Sequence, residues 1–231
     1  MIGKVVKALL REWRDHIRLL AFREKWRENN PGNKTIAGTI FPLEAVHVGD
    51  HTYGTIYVHY YRQDRELNGL NGGAERQDKV CLTIGACCSI AQNVHFYLGG
   101  EHNYRTLSSY PFKNIITRNR IAESISRGPI VIGDDVWIGS EVIILSGTRI
   151  GQGAVIGAGS VVSGEIPPYA VYAGGRILRY RFPQKIRDKL AGFDFSRLDW
   201  ERIEQDFDPF YTELTEENVD MILQKIPLRD R

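Results

Sequence analysis

The chain has 231 residues, 42% of them hydrophobic, and 30 Lys and Arg against 28 Asp and Glu give a formal charge of +2. That length fits one ordinary soluble domain with elaborations, the mild charge argues against a nucleic-acid binder, and no apolar run approaches the ~20 residues of a membrane span. Cys81, Cys87 and Cys88 lack Cys-x-x-Cys spacing, which speaks against both a disulfide framework and a zinc site, and no metal is expected.

Residues 1–30 carry Ile2, Val5, Val6, Leu9, Leu10, Trp13, Ile17, Leu20 and Trp26 at the three-and-four spacing of an amphipathic helix. Lys4, Lys7, Arg11, Arg14, Arg18, Arg23, Lys25 and Arg27 face Glu12, Asp15, Glu24 and Glu28, so the segment is net basic. Two readings stay open: a helix docked on its own protein or a neighbour, or one lying on an anionic inner-membrane surface. No apolar stretch ends at a small-residue cleavage site, so the expected compartment is the cytoplasm.

Pro31-Gly32 should end the helix. Residues 31–182 then read as a repeat domain. Its first coils, Ile36 to Val58, are imperfect, as solenoid ends are, and residues 59–79 are polar and Gly/Asn-rich, which predicts a loop leaving the coil. Hexads run through Ile84, Ile90 and Phe96, stop for a structureless excursion at 97–129, and resume. Insertions of that length in compact domains are usually functional.

From Ile132 to Pro167 the chain divides into sixes: IGDDVW, IGSEVI, ILSGTR, IGQGAV, IGAGSV, VSGEIP. Ile132, Ile138, Ile144, Ile150, Ile156 and Val162 open them, and Val136, Val142, Thr148, Ala154, Ser160 and Ile166 hold the fifth place. A helix turning about 100° per residue would scatter positions six apart, whereas in a strand first and fifth places share one parity and point inward. Gly at the second place is expected to permit the corner between strands. Six aliphatic openings in a row, at about one Ile, Val or Leu in four residues, is roughly a one-in-four-thousand event, and hexapeptide periodicity is a β-helix signature. After Pro167-Pro168, residues 183–231 read as short helices, with Thr215 ahead of Glu216 and Glu217 as an N-cap, covering the open end of the coil.

The hexad run resembles the left-handed parallel β-helix of hexapeptide-repeat acyltransferases, in which three hexads make one triangular coil; its handedness is implied by that resemblance. His102 followed by Ser108-Ser109-Tyr110-Pro111-Phe112, together with Asp135-Val136-Trp137-Ile138-Gly139, narrows the likeness to the xenobiotic acetyltransferase branch. That branch holds chloramphenicol and streptogramin O-acetyltransferases and their polysaccharide-modifying relatives, and the match covers residues 80 to 182 best. Glu101 stands where the branch usually has Asn, and a Gly-Gly-Asn-Pro-Ala-Lys turn is shortened to Gly174-Gly175-Arg176.

Acetyl transfer from a thioester to a hydroxyl needs a base of near-neutral pKa, which suits histidine, and donors for the tetrahedral oxyanion. No Ser sits in a Gly-x-Ser-x-Gly setting, so direct transfer in a ternary complex is the simpler reading. His16, His47, His51, His59 and His95 have bland explanations on the helix or coils. His102, in the loop that carries the resemblance, is the candidate general base. The resemblance further implies acetyl-CoA as donor, acceptor contacts from Glu101, Ser109, Tyr110 and Trp137, and pantetheine contacts near Ser140, Ala158 and Ser163. Arg176, Arg179 and Arg181 are the candidates for the nucleotide phosphates, because guanidinium forks suit them. It implies a homotrimer with the active site shared between chains. The leading expectation is O-acetylation of a sugar hydroxyl of a surface polysaccharide or its precursor; an antibiotic O-acetyltransferase is the alternative, and a non-catalytic scaffold a third that would have no need of His102 in its loop.

Overall fold

The computed structural model describes residues 2–29, 36–39, 46–59, 81–117 and 124–230. Helix α1 (Ile2–Asn29) occupies the stretch that the apolar spacing predicts. The stop at Pro31-Gly32 and the loop at 59–79, apart from His59, lie outside the described residues. Strands β1 (Ile36–Thr39), β2 (Val46–Val48), β3 (Tyr53–His59), β4 (Leu82–Ile84) and β5 (Ser89–Tyr97) build the first coils. The excursion is not structureless: β6 (Glu101–His102) pairs antiparallel with β7 (Ser124–Ile125), and between them lies helix α2 (Phe112–Thr117).

The hexads then lay down β8 (Ile130–Ile132), β9 (Trp137–Ile138), β10 (Ile143–Ile144), β11 (Arg149–Ile150), β12 (Val155–Ile156), β13 (Val161–Val162) and β14 (Glu165–Ile166). Their register gives the architecture. Val131 pairs with Arg149, Trp137 with Val155 and Ile143 with Val161, each partner eighteen residues on and every ladder parallel. Three hexads therefore make one turn, with three faces led by β8, β9 and β10. Strand β5 bends across a corner, since Ile90 pairs with Ile138 on one face and Phe96 with Ile144 on the next.

The first and fifth places of the hexads all point inward and are buried, from Ile132 and Val136 through Ser160, Val162 and Ile166. Cys88, predicted as small core filler, is fully buried with them, and burial raises its thiol pKa to about 12. One position departs from the hexad reading. Ile166 stacks on Ile150, and Val155 on Val171 of β15 (Ala170–Ala173), both sixteen residues apart, so the last turn is two residues short. Ile166 is thus equivalent to a hexad opening, although it was expected at a fifth place.

The second-place glycines serve a different purpose from the expected one. Gly133, Gly139, Gly151 and Gly157 have no positive φ; the left-handed residues lie at the fourth place, at Asp135, Glu141, Gly147, Gly153 and Gly159. A Cβ on Gly133 would stand 2.6 Å from the backbone nitrogen of Gln152, and one on Gly139 2.6 Å from that of Ala158. Glycine is needed there because adjacent coils touch backbone to backbone.

The last coil is closed by β16 (Arg176–Tyr180), which pairs antiparallel with β15 and occupies its free edge. Helices α3 (Gln184–Leu190), α4 (Trp200–Ile203), α5 (Asp208–Tyr211) and α6 (Val219–Lys225) follow. They do not sit over the open end, as predicted, but run along one corner of the coil. Gln152 donates to Tyr169, Leu190 and Phe193; the Arg181 guanidinium donates to Asp135 at 2.9 Å and to the Gly153 carbonyl at 2.8 Å; Cys87 lies against Phe195; and the His51 ring stacks on Trp200 at 3.8 Å. That corner is the column of left-handed residues His51, Cys87, Asp135, Gly153 and Tyr169. Left-handed backbone costs roughly 1–2 kcal/mol for a residue with a Cβ, and the apolar contacts of Tyr169, Ile186, Leu190 and Val219, and of Leu198, Ile203 and Ile226 with Cys87, offset it. Thr215 does not cap α6 directly. It exchanges hydrogen bonds with Asn218, and the helix starts one turn later at Val219.

On the outer side of the β10 face the rings of Tyr57, His59, His95 and Tyr97 stack into a ladder, with His59 Nε2 and His95 Nδ1 2.8 Å apart. Partial burial, then the neighbouring His95, lower the His59 pKa below its ordinary 6.5.

Two measurements test this packing. Gly133→Ala should cost about 1–3 kcal/mol as an overpacked contact, seen as a lower Tm, and an unchanged Tm would mean that the coils are farther apart. Because the folded pKa of His59 is depressed, the ladder's contribution is present above the ordinary histidine value and is lost as pH falls through the folded one. His59→Phe should therefore flatten part of the decline in Tm measured from neutral to mildly acid pH; an unaltered slope would mean that this ring stays solvated.

Candidate active site

The excursion leaves the coil after Phe96 and Leu98, at the corner that follows the β10 face. It is fastened there. Ser146 Oγ donates to Glu101 Oε1 at 2.9 Å and accepts from the Arg127 backbone N–H at 2.8 Å, which ties both strands of the β6–β7 hairpin to one buried serine. Glu101 Oε2 is buried 3.9 Å from Arg127 Nε and has no hydrogen-bond partner among the described residues. Glu101, expected to meet the acceptor, thus turns its carboxylate to the coil and anchors the hairpin. Nothing in the hexad spacing marks Ser146 or Arg127; the Glu at 101 in place of Asn was the only pointer.

His102 follows on β6 and is exposed. Its Nδ1 lies 2.6 Å from the carbonyl oxygen of Ser109. A carbonyl can only accept, so Nδ1 carries the proton, and the neutral ring keeps a free lone pair on Nε2. The turn that brings Ser109 back is held by short-range bonds: Thr106 Oγ1 donates to the Asn103 and Ser108 carbonyls, Asn103 Oδ1 accepts from Arg105 N–H, and Ser108 Oγ accepts from Tyr110 N–H. Tyr110 packs edge-on against Phe112 at 4.9 Å, and both stay exposed. His102, Ser109 and Tyr110 are therefore brought together.

The other predicted site residues are spread over the coil and β16. Trp137 projects outward from β9. Ser140 and Ala158 stand one above the other at the corner ahead of the β10 face, where Gly159 N–H donates to the Ser140 carbonyl at 2.9 Å. Ser163, exposed one residue past β13, lies at the corner that follows the β10 face, the one from which the excursion leaves. Within one chain the His102 hairpin and the Ser140–Ala158 corner flank opposite edges of the same face. Arg176 and Arg179 are exposed on β16, whereas Arg181, a phosphate candidate by sequence, is half-buried and committed to Asp135 and Gly153.

Residues 129–164 match the family model described as bacterial transferase hexapeptide (six repeats). A chloramphenicol acetyltransferase from Escherichia coli is 34% identical over 163 residues, 67% of this chain and 76% of that protein. A protein from Lysinibacillus sphaericus, named as a probable macrolide acetyltransferase, is 32% identical over 158 residues, 64% of this chain and 86% of its own. Among solved structures, a hexapeptide-repeat-containing acetyltransferase from Vibrio cholerae, complexed with acetyl coenzyme A, is 26% identical with a TM-score of 0.43, covering 65% of this chain and 67% of that one. The chain belongs to the hexapeptide-repeat acyltransferases, in the branch of the chloramphenicol acetyltransferases, and is an acetyltransferase.

Proposed function

We propose that the enzyme transfers acetyl from acetyl-CoA to a sugar hydroxyl of a surface polysaccharide or its precursor, in the cytoplasm, with His102 as general base. The observation that carries the base assignment is the 2.6 Å contact of His102 Nδ1 with the Ser109 carbonyl, which fixes the tautomer whose Nε2 can take a proton. The acceptor oxygen attacks the thioester carbonyl as Nε2 removes its proton. The tetrahedral intermediate then expels the CoA sulfur, which recovers that proton from the imidazolium. No covalent enzyme intermediate is required, and the cysteines are poor candidates for one: burial raises the Cys87 and Cys88 thiol pKa values to about 12.

The coil is left-handed in this reading and the enzyme a homotrimer. Two observations support a shared site. His102 and the Ser140–Ala158 corner flank opposite edges of one face, an arrangement that the hairpin of a neighbouring copy would complete. The excursion also holds Tyr104, Leu107, Tyr110, Phe112, Ile115 and Ile116 exposed, with Leu107 wholly so, an apolar display that a second subunit would cover. The pantetheine arm would follow Ser140, Ala158 and Ser163, with Arg176 and Arg179 at the phosphates. Ser109, Tyr110 and Trp137 would meet the acceptor.

The relatives named for chloramphenicol and macrolides favour a second reading, an antibiotic acceptor with the same chemistry. Acetyl transfer measured against panels of both acceptor classes separates the two.

His102→Ala should keep the fold, since the ring lies outside the coil, and lower kcat roughly 10²- to 10⁴-fold; near wild-type turnover would remove His102 from the role. Arg179→Ala should raise the KM for acetyl-CoA about tenfold or more with kcat nearly unchanged, because a distant phosphate contact is equal in ground and transition states. Arg181→Ala should instead lower Tm. An unchanged KM in both Arg176→Ala and Arg179→Ala would move the phosphates elsewhere.

A further inference from the structure

Helix α1 is the longest helix, and its apolar side chains are left uncovered among the described residues. Val5, Val6, Leu9, Leu10, Trp13, Ile17 and Leu20 are all exposed, Leu9 and Leu10 to 59% and Trp13 to 65%. At about 100° per residue, these positions occupy one arc of roughly 140° over the first five turns. Nothing among the described residues covers that arc.

Charge says what can cover it. Over residues 2–20 the helix carries Lys4, Lys7, Arg11, Arg14 and Arg18 against Glu12 and Asp15. By helical register Lys7 and Arg14 stand three and four residues from Leu10, directly bordering the apolar arc, with Arg18 next in the same row. Glu12, about 20° beyond Val5, borders the other edge of the arc. An antiparallel second copy of the same helix would set basic row against basic row. It would also need a narrow seam, yet Leu10 and Ile17 widen the stripe beyond the two positions per heptad that a coiled coil uses. Arg23, Glu24, Arg27 and Glu28 end the apolar arc after Leu20. A wide, mostly apolar face with Trp near its centre and His16 towards one edge, opposite a polar face rich in Lys and Arg, is the composition of a helix that lies in a bilayer interface. None of the helices among the described residues is long and apolar enough to cross a membrane.

We infer that residues 2–20 of α1 bind an anionic lipid bilayer, apolar face down and parallel to the surface. This inference is independent of the acceptor assignment and of His102.

The test is flotation of the full-length protein with vesicles of phosphatidylcholine alone and of phosphatidylcholine with phosphatidylglycerol. Binding is expected only to the anionic vesicles, and it should weaken as salt rises. Leu9→Glu and Trp13→Glu, each in its own variant, should weaken binding roughly tenfold or more, and Lys7→Gln about fivefold. All three should keep the wild-type Tm, assembly mass and acetyl-CoA hydrolysis rate without vesicles. Absence of flotation with anionic vesicles at low salt overturns the inference. So does equal binding to neutral vesicles. A fall in assembly mass or Tm in Leu9→Glu overturns it as well, since the face would then be covered by protein.

Discussion

The constraint on which the rest of this structure depends is the inward column of aliphatic side chains held at an eighteen-residue register. Each turn of a β-solenoid makes its backbone hydrogen bonds and buries its apolar face against the turns beside it, so no turn is stable alone. Ile132 on Ile150, Ile138 on Ile156 and Ile144 on Val162 put like on like along parallel ladders. The same constraint explains the glycines. Turns close enough for ladder hydrogen bonds bring one corner's backbone within van der Waals reach of the next, and at Gly133 or Gly139 no Cβ fits.

Register also explains how the enzyme tolerates its excursion. Ile90 pairs with Ile138 forty-eight residues on, so the chain leaves the coil after Phe96 and returns in phase to the same faces. The cost of closing a loop grows slowly with its length, and most of it is met where the loop is pinned. Ser146 does the pinning, with Glu101 and the Arg127 backbone on one hydroxyl. The orientation of His102 follows from two restraints: the hairpin base fixed to the coil, and the Ser109 carbonyl fixed to Nδ1. The role of general base proposed for His102 gains from attachment to a rigid scaffold, because a misplacement of about an ångström is costly.

The sequence made the hexads legible because six is commensurate with both a strand's period and the three-face turn, so burial repeats without drift. What it hid was what periodicity cannot encode. The two-residue shortening before Ile166 leaves an aliphatic residue at a plausible place under either count. The second-place glycines look like corner residues, and only the spacing between turns identifies them as close-approach positions. The His59–His95 pair joins residues thirty-six apart through a loop of arbitrary length, so no local pattern could bring them together. The C-terminal helices were legible as helices, but their path along the corner depends on single partners: Arg181 for Asp135, Phe195 for Cys87, Trp200 for His51. Arg181 reads as a free basic residue in sequence and is an ion pair in the fold.

Within the site, the same division separates what the family fixes from what it leaves open. The first- and fifth-place coil residues from Ile132 to Val162 point inward and cannot read an acceptor. Glu101 spends one carboxylate oxygen on Ser146 and buries the other, so it too faces the scaffold. Discrimination between a sugar and an antibiotic must then come from outward groups. Those near His102 are the turn from Asn103 to Tyr110, whose conformation rests on bonds among its own Asn103, Thr106 and Ser108 and not on the coil. A turn built from local side-chain bonds can change sequence without disturbing the register beneath it. A change confined to that turn, or to an outward hexad residue such as Trp137, is one way in which relatives with hexapeptide coils could carry names for chemically unrelated acceptors.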